Sequence, residues 1–221
     1  MTHNLPKETK EIIDTIDTKE TKEIIDTIDI KEGIVNHDNY TQEVLLEQYR
    51  VHKDYVKKRI EMKRTGIRLR LPSIPEDISE NMIKFIIHHK LQDRTSTWNC
   101  VKGDLYSLKE GYQECKCFTS MGPISFSPIS KWNVIYFLDA TQWLEDKFIV
   151  YRCSLEGTSL EWQHIKVNKK QMFQDQSIQK RRPRLQWNLL YPQIRPFCTK
   201  IFEGNFDEIF VPMEDVLIKE E

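Results

Sequence analysis

The chain has 221 residues, of which 39% are apolar and 30% charged, a balance that fits one soluble domain with tails. Its longest apolar runs, such as "VIYFL" at 134–138, are far too short to cross a membrane. Five cysteines without framework spacing exclude a disulfide scaffold and point to a reducing, intracellular setting. The net charge of −1 conceals an asymmetry: residues 1–40 carry −5 and residues 203–221 carry −6, which leaves 41–202 at +10. A middle that basic predicts a polyanionic partner.

The start of the chain, "MTHNLPKETK", has no apolar core, so no secretory signal is expected. A twelve-residue repeat follows, "KETKEIIDTIDT" and then "KETKEIIDTIDI". Two copies are too few to build a solenoid. Residues 1–40 therefore read as an acidic, weakly helical appendage, with a coiled dimerisation arm as the alternative. The segment 41–64 predicts a helix with Leu45, Leu46, Tyr49, His52, Val56 and Ile60 as its buried stripe. Residues 65–75 read as a loop, and a second helix is expected over 76–90 with Pro75 in its first turn. From 101 the period changes to that of strands: "VKGDLYSL", "YQECKCF", "NVIYFLDA" and "KFIVYRCSL". A short helix in 156–165 and a polar helix stopped before Pro183 complete the expected domain over 41–202, with 203–221 as an acidic tail. Helices, then strands, then helices predict an α/β (α+β) architecture.

The chemistry concentrates in "GDLYSLKEGYQECKCFTS", residues 103–120. A three-residue loop, 109–111, ending in a left-handed Gly111 would pair Leu108 with Tyr112 and set Asp104 opposite Lys116. Glu114 is then a diagonal neighbour, and all three side chains share one sheet face. Cys115 and Cys117 point to the other face, where they would pack against a helix. Two carboxylates on one face repel unless a cation relieves them, and Mg²⁺ readily takes one or two carboxylates plus waters and phosphate oxygens. A cross-strand salt bridge between Asp104 and Lys116 is the plainer alternative. Glu76 and Glu80 lie at i, i+4 on the second helix, and Glu80 borders its apolar face. Arg181, Arg182 and Arg184 surround Pro183, and their forks suit phosphates or guanine edges. Gln171, Gln174, Gln176 and Gln179 read as a solvated helix face.

"GD…QECKC" resembles the Asp…Glu-x-Lys core of the PD-(D/E)XK nuclease superfamily. In order along the chain, "IPEDISE" (74–80), "ISFSP" (124–128), "KWNVIYFLDA" (131–140), "KVNKKQMFQDQ" (166–176) and "QKRRPR" (179–184) resemble the successive blocks of one small group of type II restriction endonucleases. The blocks cover about 64–190. The resemblance implies a central mixed β-sheet flanked by helices, and a Mg²⁺-dependent endonuclease that cuts both strands of double-stranded DNA at a short specific site. It also implies a homodimer working beside a DNA methyltransferase. Residue by residue, it implies Asp104, Glu114, Lys116 and Glu80 as catalytic, with Glu76 the rival of Glu80. It implies Asp104, Glu114 and Cys115 as metal-holding positions. Lys169, Lys170, Arg181, Arg182 and Arg184 are the implied DNA-binding residues. The sequence departs from the group's pattern at Gly103, where Pro is frequent, at Ser127 and Lys180, where Gly is usual, and at Leu185, where Phe is frequent. A structure-specific repair or recombination nuclease and a catalytically silent DNA-binding protein are the competing readings.

Overall fold

A computed structural model of the chain describes residues 40–99 and 103–212. The acidic repeat therefore lies outside the described residues. Helix α1 spans Gln42–Arg64; Thr41 caps it by accepting from the Val44 N–H, and Lys63 and Arg64 sit in its last turn. Opposite partial charges at the two helix ends favour that arrangement. Leu45, Tyr49 and Val56 form its buried stripe, while Leu46, His52 and Ile60 are only partly covered. Helix α2 spans Glu76–Lys90. Pro75 is its N-cap and not a first-turn residue, since its ψ of 150° is still extended.

Strands β1 (Thr97–Trp98), β2 (Leu105–Ser107), β3 (Gly111–Phe118), β5 (Val134–Gln142), β6 (Lys147–Cys153) and β8 (Cys198–Gly204) form one six-stranded sheet in the order β1-β2-β3-β5-β6-β8. Only β3 and β5 run parallel; the other neighbours are antiparallel. Strand β5 is buried on both faces, as its unbroken apolar run requires. Val134, Tyr136, Leu138 and Ala140 face α1 and α2, and Ile135 and Phe137 face the opposite layer. That layer contains α3 (Leu160–Gln163), α4 (Phe173–Ile178) and α5 (Trp187–Ile194). It also holds a separate two-stranded sheet, β4 (Ile124–Ser125) paired with β7 (Arg184–Leu185). The fold is thus a mixed α/β domain with helices on both faces of a mixed sheet. Among the described residues, no helix is long and apolar enough to cross a membrane.

Two expectations are corrected. The β2–β3 hairpin pairs Ser107 with Gly111 and Leu105 with Gln113, so its loop is 108–110 and not 109–111. The Leu108 N–H leaves the ladder for Thr95 Oγ1 at 3.0 Å, which removes the pair that the longer hairpin needed. Gly111 still takes the left-handed conformation, φ 71°, and a Cβ there would meet Asn133 Oδ1 at 2.6 Å. The second correction concerns the acidic end. The expected boundary at 203 falls inside β8, and beyond it Phe206 and Ile209 are buried in the α1–α2 core. Phe206 stacks on Tyr49 with ring centroids 4.0 Å apart.

The hairpin is fastened from below by a buried carboxylate at its tip. Glu110 accepts from Arg152 Nε at 2.6 Å, from Gln113 Nε2 at 3.1 Å and from the Tyr136 hydroxyl. Gln113, fully buried, accepts in turn from Ser96 Oγ at 2.8 Å. This network joins the β2–β3 hairpin to β5 and β6. Hydrogen bonds to charged groups are worth about 1.5–3 kcal/mol each where burial is substantial. Glu110→Gln is expected to lower stability by about 2 kcal/mol, read as a shift of the urea midpoint at unchanged slope. A midpoint equal to the wild type's would show that the network is decorative.

Candidate active site

Strand β2 pairs with β3 only across Gly111–Gln113. From Glu114 to Phe118, β3 has β5 on one side and, among the described residues, no strand on the other. Asp104 stands where β2 leaves this edge. Gly103 makes the turn with φ 72°, and a Cβ there would meet the Gln113 carbonyl oxygen at 2.9 Å. Proline, with φ fixed near −65°, could not make that turn, which gives the departure at 103 a physical reason. Asp104 N donates to the Gln113 carbonyl at 2.9 Å, and Asp104 Oδ2 accepts from the Cys115 N–H at 2.6 Å. The carboxylate thus occupies the place of a strand partner on the open edge.

Lys116 Nζ lies 2.6 Å from Glu114 Oε1, 4.0 Å from Asp104 Oδ2 and 3.1 Å from the Cys115 carbonyl oxygen. The hairpin register differs from the expected one by two residues, so the parity argument survives: Asp104, Glu114 and Lys116 share a side. Cys115 and Cys117 face α2, with Cys115 packed in the core beside Ile78 and Met82. Burial pushes the Cys115 thiol well above its usual range. The thiol is therefore not a donor to this site, and only the carbonyl of Cys115 reaches it. Glu80 approaches from α2 past the open edge; Glu76, one turn earlier, is exposed. The two helix acids and the three strand residues line one cleft of about 570 Å³. Arg70 and Arg182 line the same cleft.

The electrostatics follow from burial and crowding. Glu114 is only 4% exposed. Desolvation raises the pKa values of Asp104 and Glu114, against the pull of Lys116. Lys116 goes the other way from a buried lysine: Glu114 and Asp104 outweigh its desolvation and raise its pKa, so it stays an ammonium. Glu80 is pushed up to about 8 by burial first, then by Asp104, Glu76 and Glu114, with Lys116 opposing. Among the described residues, no three His, Cys, Asp or Glu side chains gather closely enough to cage a metal. What the edge offers is two carboxylates and a main-chain carbonyl, all hard oxygen donors. That set suits Mg²⁺, which keeps several waters and is seldom held by an all-protein cage.

The basic segment is positioned by β7. Arg184 pairs with Ser125, Leu185 with Ile124, and the Pro183 carbonyl accepts from the Phe126 N–H at 2.9 Å. Arg181, Arg182 and Arg184 are all exposed, and Arg182 is the one that lines the cleft. Lys169 and Lys170 sit on an exposed turn tied by Asn168, whose Oδ1 accepts from the Lys170 and Gln171 N–H groups at 2.9 Å. They are not among the residues lining the cleft. Gln171 is turned inward to accept from Asn168 and Gln176. Arg70 was not legible in the sequence; the only signal was the alternation "RLR" at 68–70 just before Pro72.

A family model, Bsp6I restriction endonuclease, matches residues 37–190, which takes in the whole cleft and the arginine segment. The chain belongs to the Bsp6I restriction endonuclease family. It is a type II restriction endonuclease, a site-specific deoxyribonuclease acting on DNA. No curated protein and no solved structure matches the chain. The match to the Bsp6I family ends inside α5, so β8 and the Phe206 anchor lie beyond it.

One residue at the end of α4 is strained. Helix α4 closes with Lys180 N donating to the Ser177 carbonyl and Arg181 N to the Gln176 carbonyl, both at 2.9 Å. This is the paired bonding of a Schellman cap, whose C′ residue must be left-handed. Lys180 fills that position with φ 55°, a conformation that favours Gly. Lys180→Gly should raise stability by about 1 kcal/mol, measured by thermal melting. An unchanged or lower melting temperature would mean that the cap tolerates a side chain without cost.

Proposed function

We propose that this restriction endonuclease hydrolyses both strands of double-stranded DNA at a short specific sequence in a Mg²⁺-dependent reaction, on a PD-(D/E)XK core. The observation that carries the reading is the meeting of Asp104, Glu114 and Lys116 at the unpaired edge of β3, with Glu80 reaching them from α2. Asp104, Glu114 and the Cys115 carbonyl would hold the metal. When bound, Mg²⁺ would polarise the phosphate and make a water more acidic.

The remaining work falls to the chain's own groups. Lys116 keeps its proton, so its Nζ is suited to stabilise charge building on the phosphate and not to act as a base. Glu114 holds that ammonium in place at 2.6 Å. Glu80, with a pKa near 8, holds a proton at neutral pH and can pass it at its carboxyl oxygens. Arg182 in the cleft would anchor a phosphate, and Arg181 and Arg184 on either side of Pro183 would reach the duplex. Lys169 and Lys170 would add charge on the neighbouring turn. The enzyme would work as a homodimer on a symmetric site, inside the cell, with a methyltransferase protecting the host DNA.

The test is to incubate the protein with unmethylated plasmid DNA and Mg²⁺ and to sequence the fragment ends. Discrete bands with one shared end sequence support the proposal. A nicked smear would favour a nuclease that recognises structure. Intact DNA that shifts on a gel would favour a silent binder.

A further inference from the structure

A second groove, about 730 Å³, opens beside the active-site cleft and runs into it: Arg70, Ser73, Thr119 and Ser120 line both. Its far wall is the C-terminal half of α1, where Arg59 faces Arg70. No aspartate or glutamate lines it. The cavity near the β5–β6 turn has the opposite character, with Asp139, Glu145, Asp146 and Glu203 in its wall. The basic groove is thus a selected feature of one side of the molecule and not a general surplus of charge.

Arg59 is half-buried and held in position. Its Nη1 donates to the Tyr55 hydroxyl at 3.1 Å and its Nη2 to the Arg70 carbonyl at 3.1 Å. The guanidinium also lies over the Tyr55 ring, 5.6 Å from the centroid. Its Nε is buried without a partner, and among the described residues no carboxylate pairs with it or with Arg70. A guanidinium held in place with no anion beside it, its Nε covered but its Nη groups open to solvent, is set to receive one.

We propose that this groove is a phosphate track: Arg59 and Arg70 bind the DNA backbone on the side of the cut phosphate away from Arg182. The proposal rests on the reading of the neighbouring cleft as the cutting site and extends it by giving the substrate a second, sequence-independent hold. Both arginines lie outside the 166–184 segment to which sequence reasoning assigned DNA contact. A strand lying in the cleft can continue past Thr119 and Ser120 into the groove without crossing an acidic wall. Arg suits the task because its planar fork matches phosphate oxygens and never loses its charge.

The test uses fluorescence anisotropy of short labelled duplexes of two unrelated sequences, in Ca²⁺ to prevent cutting, across a series of salt concentrations. Arg59→Gln and Arg70→Gln should each lower the slope of log affinity against log salt by about one, equally on both sequences. The Arg70 guanidinium makes no hydrogen bond among the described residues, so Arg70→Gln alone decides the matter if Arg59→Gln disturbs α1. Slopes equal to the wild type's would overturn the track. So would a loss confined to one sequence, since that is the mark of base reading. Asp104→Asn, assayed separately for cutting in Mg²⁺, tests the cleft reading on its own: it should lose cleavage. If it cuts normally although the arginine variants lose slope, the cleft reading fails and the track stands as a DNA-binding surface.

Discussion

Asp104→Asn will silence cleavage and at the same time make the fold more stable. Loss of one charge-stabilising group at a reacting centre costs about 10²–10³-fold in rate, and loss of a metal-holding carboxylate should cost at least that. The stability gain follows from the sign of the shift. The Asp104 carboxyl has a raised pKa in the fold, chiefly through burial. A raised acid contributes its full stability below its unfolded pKa and loses it as pH rises through the folded value. At neutral pH, above its unfolded pKa, the Asp104 carboxyl therefore lowers the stability of the fold. Asparagine keeps an oxygen to accept the Cys115 N–H and removes the charge, while Lys116 retains Glu114. Each kcal/mol gained would raise the melting temperature by about 2–4 °C in a domain of this size. Retained turnover would remove Asp104 from the site. Lost turnover together with lost stability would make Asp104 a structural residue.

Glu80→Gln will change how stability depends on pH more than it changes stability at any single acidic pH. Glu80 titrates near 8 in the fold, against an ordinary value of 4.5. Below pH 4.5 the carboxyl is neutral in both folded and unfolded chains and costs nothing. Between pH 4.5 and 8 the unfolded chain loses the proton first, so wild-type stability falls as pH rises, by an amount of the order of several kcal/mol. The variant lacks this term, although Asp104 and Glu114 keep their own slopes, so its profile should be shallower and not flat. The difference should be near zero at pH 4 and largest above pH 8. Urea midpoints measured across that range check it. Parallel profiles for Glu80→Gln and the wild type would show that Glu80 does not face the strand acids.

Much of this was written in local pattern. The two long helices announced themselves through apolar stripes, and the second also through Pro75 at its start. The shared face of Asp104, Glu114 and Lys116 followed from the two-residue period of a strand, and it tolerated a hairpin misread by two because such a slip returns every side chain to its own face. What could not be read depended on partners distant in the chain. The Leu108 N–H was taken by Thr95, which no hairpin rule anticipates. Strand β8 was hidden because a bulge opposite Val150 and Tyr151 breaks its alternation, leaving Ile201 and Phe202, adjacent residues, both against the same core. Helix α5 was obscured by Pro192 within it. The Glu110–Arg152 pair left no local signal, because its two residues are brought together only by the sheet.

The pairing of β4 with β7 makes "ISFSP" and "RRPRL" a single heritable unit. Ser125 and Arg184 are ladder partners, and the Phe126 N–H hangs on the Pro183 carbonyl. A substitution in either segment is therefore felt by the other, so under the proposed DNA-contacting role of the arginines their effects would be epistatic. On that reading a single step in one segment would have to suit a partner strand that has not yet changed. Grafting the arginine segment from a relative without its matching loop would carry over the residues but not their aim. Transplanted together, the two strands keep the bonds that hold them in place.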